Sequence, residues 1–382
     1  MTTTTKALLT ALALSFVLGG AARGAEANPD PNPDPAPARP DTPGVLQATA
    51  LPPKTLTYGV GLRVGGGVQT TTATTTSDSL GIENLNVRPY ISGQVHPMLR
   101  FEGNLDLNSN DNSRIHVLSA VAKFEPDDLF NVWFGRFLPP SDRANLSGPY
   151  FQNAWNYPAD VNAYPSIYAG RADGGAVWGQ LGKGQFKYMG GVFTVNSNTP
   201  ISQAIYAGRL VYNFLDPEPG YYNSSTYYGT KDVLAIGAAG QYQQQGSAVT
   251  IGTDASGAPI LAYKDLGGFN FDLLFEKRLP WADTLTLEGA YYNFNKGSQG
   301  WSWYALASYL FAPKLAFGQL QPMVRWQEFT PTAGGDATKV LDGGVNYIID
   351  GHNTRVAFAV QHRDVPTAAS TTSYQFGVQI QE

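Results

Sequence analysis

Charged side chains of both signs crowd one region of this sequence: Arg136, Asp142, Arg143, Asp160, Arg171 and Asp173. Held against water in a narrow opening, such a group would sort ions by sign and size. A second set, Arg63, Arg100, Glu102, Arg114 and His116, falls at alternate positions of strand-like segments and so lies on one face. The histidines suggest a different chemistry. His116 and His362 have Asp111 and Asp364 nearby, enough for a base and its orienter. No Gly-x-Ser-x-Gly or comparable nucleophile context surrounds them, and His96 and His352 fall in predicted turns. H-E-x-x-H and Walker-type loops do not occur, and there is no cysteine to form a thiolate site or a disulfide. The residues therefore argue for no enzyme, no metal and no cofactor, and for charge lining a passage.

The first charged set is carried by an unusual element. "FGRFLPPSDRANLSGPYFQNAWNYP", residues 134 to 158, starts as a strand and is stopped by two prolines. The loop that follows, 139–169, has neither helical nor strand period, yet it is rich in rings and charges. A structureless stretch of that length inside a compact domain is uncommon and usually functional. Two placements fit it: folded into an interior, or lying as a cap over an opening.

The rest of the chain supplies the frame. From about residue 56, segments of strand length alternate large apolar with polar or small residues, separated by Gly, Pro, Asn, Asp and Ser. In "MLRFEGNLDL" Leu99, Phe101, Leu105 and Leu107 oppose Arg100, Glu102, Asn104 and Asp106. In "GGFNFDLLFE" Phe269, Phe271, Leu273 and Phe275 oppose Asn270, Asp272 and Glu276. Strands that cross a bilayer need about 9–11 residues, against about 5–6 for ordinary strands, and these segments match the longer value.

The pattern predicts sixteen strands: 57–69, 82–96, 98–107, 114–124, 130–138, 170–180, 185–195, 204–215, 232–243, 268–277, 284–294, 301–311, 320–329, 339–349, 354–363 and 372–381. An even count, with connections alternately long and short, is the pattern of a transmembrane antiparallel barrel. A long loop after strand 5 resembles the loop that general porins fold inward, and that placement is expected here. The ninth connection, through "QQGSAVTIGTDASGAPILAYKDL", reads as a long outer loop. One connection breaks the alternation. "DPEPGYYNSSTYYGTK", 216 to 231, is long where a short turn belongs, and it marks the place where a register error is expected. Trp281, Trp301, Trp303, Tyr304, Tyr309, Phe311, Tyr347 and Tyr374 fall near predicted strand ends, as rings at a membrane boundary do and as aromatics that simply suit strands also do.

The ends and the bulk composition agree. Lys6, an apolar run from Ala7 to Leu18 and Ala25-x-Ala27 read as a signal peptide over 1–27. The proline-rich 28–55 reads as an extended spacer, leaving the barrel at 56–382. A net charge of -5 excludes a nucleic-acid partner of the usual kind, which needs a basic face.

The run from Glu83 to Pro140 resembles the phosphate-selective porin O and P family. The likeness is carried by Gly93, Val95 and Pro97 in one turn, and by Val132, Gly135, Phe137 and Pro140 at the step into the loop. The resemblance implies a sixteen-stranded, usually trimeric porin in the outer membrane of a Gram-negative bacterium, with lumenal arginines and lysines that pass anions such as phosphate. The inward set here is mixed: Arg88, Lys187 and Arg325 stand with Asp106, Asp272, Glu276 and Glu288. A mixed wall selects weakly. The expectation is a water-filled channel for ions and small hydrophilic solutes, embedded in outer-membrane lipid. The competing expectation is an outer-membrane or secreted β-protein without an open pore, an enzyme or an adhesin.

Overall fold

The computed structural model describes residues 55–382 except 72–78, 109–114, 159–165, 196–202, 255, 297–299, 333, 367 and 382. The expected signal peptide, 1–27, and the spacer up to residue 54 lie outside the described residues.

Sixteen strands close on themselves. They are β1 Thr55–Thr71, β2 Ser79–His96, β3 Leu99–Asn108, β4 Ile115–Phe124, β5 Asn131–Phe137, β6 Ala172–Leu181, β7 Phe186–Thr194 and β8 Ile205–Asn213. The second half is β9 Val233–Thr253, β10 Pro259–Arg278, β11 Thr284–Lys296, β12 Gly300–Leu310, β13 Gln319–Pro331, β14 Thr338–Asp350, β15 Thr354–Asp364 and β16 Thr371–Gln381. Each pairs antiparallel with its chain neighbours, and β1 closes the ring on β16 from Gly61–Gln381 to Thr71–Thr371. Closure leaves no unpaired edge, the condition for carrying backbone through hydrocarbon. Among the described residues no helix is long and apolar enough to cross a membrane.

Burial is inverted relative to a soluble protein. Tyr58 is 76 % exposed and Phe134 66 %, whereas Arg209, Arg325, Arg355 and Lys187 are fully buried. The alternation explains both. On β10, Phe269, Phe271 and Leu273 face outward while Asn270, Asp272 and Glu276 face inward. On β3, Leu99 and Leu105 face out, with Glu102, Asn104 and Asp106 within. A period-2 pattern with its apolar side outward suits lipid outside and water or polar protein inside. Rings gather at the barrel end that carries the short turns, where Trp281 donates to the Tyr309 hydroxyl at 2.8 Å and Phe317 packs edge-on against Tyr347. Tyr304 departs from the belt: it points inward and donates to Glu288.

Two expectations are corrected. Residues 244–253 and 259–267 are strand and not loop, because β9 and β10 continue as a paired hairpin from Gln243–Leu266 up to Thr253–Pro259. Its side chains, Ile251, Ile260 and Leu261 among them, are exposed, so no buried face imposed an alternation that could be read. No register error occurs at 216–231: β8 and β9 pair without a shift, and the extra residues form a connection.

Candidate functional site

The described residues of the β5–β6 loop run inside the ring. The Asp142 side chain caps the N-terminus of a short helix, α1 Arg143–Ser147, by accepting from Ala144 N at 3.2 Å. The Asp142 carboxylate also accepts from Tyr292 on β11, and Asp272 on β10 accepts from Arg143 N. Further on, Asn153 donates to Ser308 on β12 at 2.6 Å. Arg325 on β13, Asn346 on β14, Arg355 on β15 and Gln379 on β16 donate to carbonyls of Asn156, Asn153, Gln152 and Tyr150. Arg63 on β1 donates to the Trp155 carbonyl at 2.7 Å. One loop thus touches wall on opposite sides of the barrel. Its exposed carbonyls are satisfied by inward side chains, which backbone without regular structure requires when buried.

Small residues on the wall make room for its rings. A Cβ on Gly61 would lie 2.9 Å from the Tyr150 ring, and one on Gly377 would lie 2.1 Å from the Trp155 ring. The Arg63 guanidinium stacks 4.1 Å from the Trp155 centroid.

A second segment enters from the other end. The β8–β9 connection, long where its companions are tight turns, meets the loop inside the bore. Glu218 takes two hydrogen bonds from Arg143, at 2.7 and 2.6 Å, and a third from Tyr227. Tyr221 stacks on Trp133 of β5 at 4.6 Å and donates to the Leu138 carbonyl. Glu276 on β10 accepts from Thr226 Oγ1 and from the backbone of Tyr227 and Gly229. Beneath this, Arg209 on β8 is paired with Asp272. Burial alone would raise the Glu218 carboxyl, but the Arg143 charge and hydrogen bonds override it and bring it to about 2. Burial dominates at Asp142, which is pushed up to about 6 against the Tyr292 hydrogen bond.

Beside the two segments a cavity of about 570 Å³ remains, against the β1–β3 wall. Arg63, Arg88 and Arg171 line it together with Trp155, Tyr157 and Tyr168. Among the described residues its one lining carboxylate, Asp106, is already engaged by Arg88 at 2.7 Å, Asn86 at 2.6 Å and the Tyr168 hydroxyl at 2.7 Å. His116 stacks behind on Tyr168, ring centroids 4.1 Å apart. Arg63 and Arg171 donate to carbonyls, so among the described residues this wall carries more positive charge than negative.

The six residues expected at a constriction separate. Arg171 lines the cavity; Asp142 and Arg143 are buried within the loop packing. Asp160 lies outside the described residues, as does Arg114 of the wall set. Arg136 and Asp173 are a correction. They face each other across β5–β6 and form a pair at 2.6 and 2.8 Å, but on the outer side, in parity with Phe134 and Val177. Within the wall set, Arg63 reaches the cavity, while Arg100 pairs with Glu125 and Glu102 with Lys123. Glu218 was missed by residue-level reading; the anomalous length of 216–231 was its available signal.

No family model and no curated protein matches this chain. Solved structures do. OprB of Pseudomonas putida aligns over 86% of this chain and 94% of its own, with a TM-score of 0.62 at 10% identity. OmpT of Vibrio cholerae, an outer membrane protein, covers 89% and 100% with a TM-score of 0.55 at 12% identity. The anion-selective porin from Comamonas acidovorans covers 86% and 100%, also at 0.55 and 12%. At such identity the likeness speaks to architecture, and this chain has the closed sixteen-stranded barrel fold of outer-membrane porins.

Proposed function

We propose that the chain is a porin of the Gram-negative outer membrane, through which ions and small hydrophilic solutes diffuse passively, with anions such as phosphate favoured. The observation that carries this reading is the cavity beside the inward loop, where, among the described residues, Arg63, Arg88 and Arg171 surround one carboxylate that Arg88, Asn86 and Tyr168 already hold. A wall of one prevailing sign attracts the opposite ion. Kinship with the phosphate-selective porins O and P and assembly as a homotrimer belong to the same proposal. A non-enzymatic role fits the histidines: His352 is held by the Thr226 carbonyl and His362 by Thr372.

A second reading, a barrel without an open pore, is favoured by the extent to which two segments fill the bore. One experiment separates them. Purified, refolded protein in a planar bilayer under a salt gradient should give conductance steps whose reversal potential reports anion preference. Steps with cation preference would remove the anion reading. Folded, inserted protein without steps would remove the open channel. Chemical cross-linking in detergent should give a trimer; a monomer would end that part of the proposal.

A further inference from the structure

The β8–β9 connection has no counterpart among the other connections at its end, which are short: Pro97–Met98, Gly182–Gly184 and Gly351–Asn353 are examples. It also crosses the bore. Gly220 N donates to Gln180 on β6 at 2.8 Å, and the Thr226 carbonyl lies 3.0 Å from His352 Nε2, in the turn that follows β14. β6 and β14 stand half the ring apart.

We infer that residues 216–231 are a resident plug, which closes the part of the bore that the β5–β6 loop leaves free and whose withdrawal opens a second path beside the arginine-lined cavity. The inference rests on the porin reading. The chemistry of the segment divides it. Its root is apolar, with Tyr221 and Tyr222 packed on Trp133. Its tip, from Ser224 to Gly229, is held mainly by polar contacts, Ser225 to Glu288 and Thr226 and Tyr227 to Glu276, with Tyr227 also packed on Val233, Ala235 and Leu274 and Tyr228 on His352. Water can replace the hydrogen bonds, and withdrawing the tip alone leaves Tyr221 and Tyr222 packed. Gly229, with φ of 75°, ends the tip and supplies left-handed backbone at which it can swing, while Gly220, with φ of 90°, precedes Tyr221 and stays with the root. Arg143–Glu218 is the latch, because it joins the plug to the loop entering from the opposite end.

Single-channel recording on the full barrel tests this. Replacing 217–230 by a tight turn should roughly double the conductance step, by enlarging the free cross-section. Glu218→Gln should make large steps more frequent. Because the chain has no cysteine, the pair Ser147→Cys and Ser225→Cys, whose hydroxyls are 3.2 Å apart, can staple plug to loop. Oxidation should abolish large steps and reduction should restore them. A shortened barrel that conducts like the wild type overturns the plug. If shortening prevents folding, a staple that leaves the step pattern of the reduced protein unchanged overturns it instead. A silent wild type with a conducting shortened form would keep the plug and discard only the open-channel reading; silence in both, from folded protein, would discard both.

Discussion

Arg143 and Glu218 meet through a two-pronged ion pair inside the barrel, although their segments enter from opposite ends and neither side chain reaches solvent. The guanidinium is further fixed by the Ser224 carbonyl at 2.7 Å. A fork of this kind matches a carboxylate in geometry as well as charge. It ties both lumenal segments into one unit and makes that unit sensitive to single substitutions.

Removing one partner strands the other. Glu218→Gln is expected to destabilise the folded barrel by about 3 kcal/mol, the lower end for breaking a buried pair, since Arg143 keeps the Ser224 carbonyl. Arg143→Met combined with Glu218→Gln should recover much of that loss. Urea unfolding in detergent measures both. Additive losses in the double variant would show that the two residues are not coupled.

Acid should loosen the same region. Glu218 is held at about 2, below its ordinary 4.5, so its contribution is complete above 4.5 and is lost as pH falls toward 2. His352 is brought down to about 4 by burial and then by the Arg355 charge. Its neutral form is favoured in the folded state, so its contribution is complete above 6.5 and is lost as pH falls toward 4. His352 costs stability as pH falls from 6.5 to 4 and Glu218 as it falls from 4.5 to 2, whereas Asp142, raised to about 6, gains stability from 6 toward its ordinary 3.8 and offsets part of the upper loss. His352→Gln should change the slope of the upper window alone. An unchanged upper slope in that variant would refute the assignment.

Much of this molecule was legible because lipid and lumen impose a period of two on every crossing strand. That period placed Arg63 and Glu102 on the inner face as found. It failed where residue type was allowed to outweigh parity. Arg136 alternates with Trp133 and Phe137, which point inward, and shares its side with Phe134; being charged, it was expected inside. Asp173 across the strand pair neutralises it on the outer face. Glu218 was illegible for another reason: a connection has no period, and only its length showed that it had work beyond a turn.

The wall around the loop leaves no room for growth. A methyl group on Gly377 would overlap the Trp155 ring, so Gly377→Ala should displace that ring and cost about 1–3 kcal/mol, as overpacking does. Since Trp155 supports the Arg63 guanidinium, tryptophan emission and ion selectivity should shift together. A variant with native emission would show that the strand, not the ring, gives way.

Selectivity provides the sharpest contrast between the two locations of arginine. Arg63→Gln, Arg88→Gln and Arg171→Gln each remove charge from the cavity wall and should each lower the anion-to-cation permeability ratio several-fold. Arg88→Gln removes the same single charge, and Asp106 is then held by Asn86 and Tyr168 alone. Its shift of the reversal potential should match those of the other two variants. Arg136→Gln lies on the outer face, paired with Asp173, and should leave the reversal potential unchanged. All three effects should shrink toward 1 M salt, where the screening length falls to about 3 Å and wall charge no longer reaches across the passage. Equal shifts from Arg136→Gln and Arg63→Gln would mean that the net charge of the barrel, and not the cavity, sets selectivity.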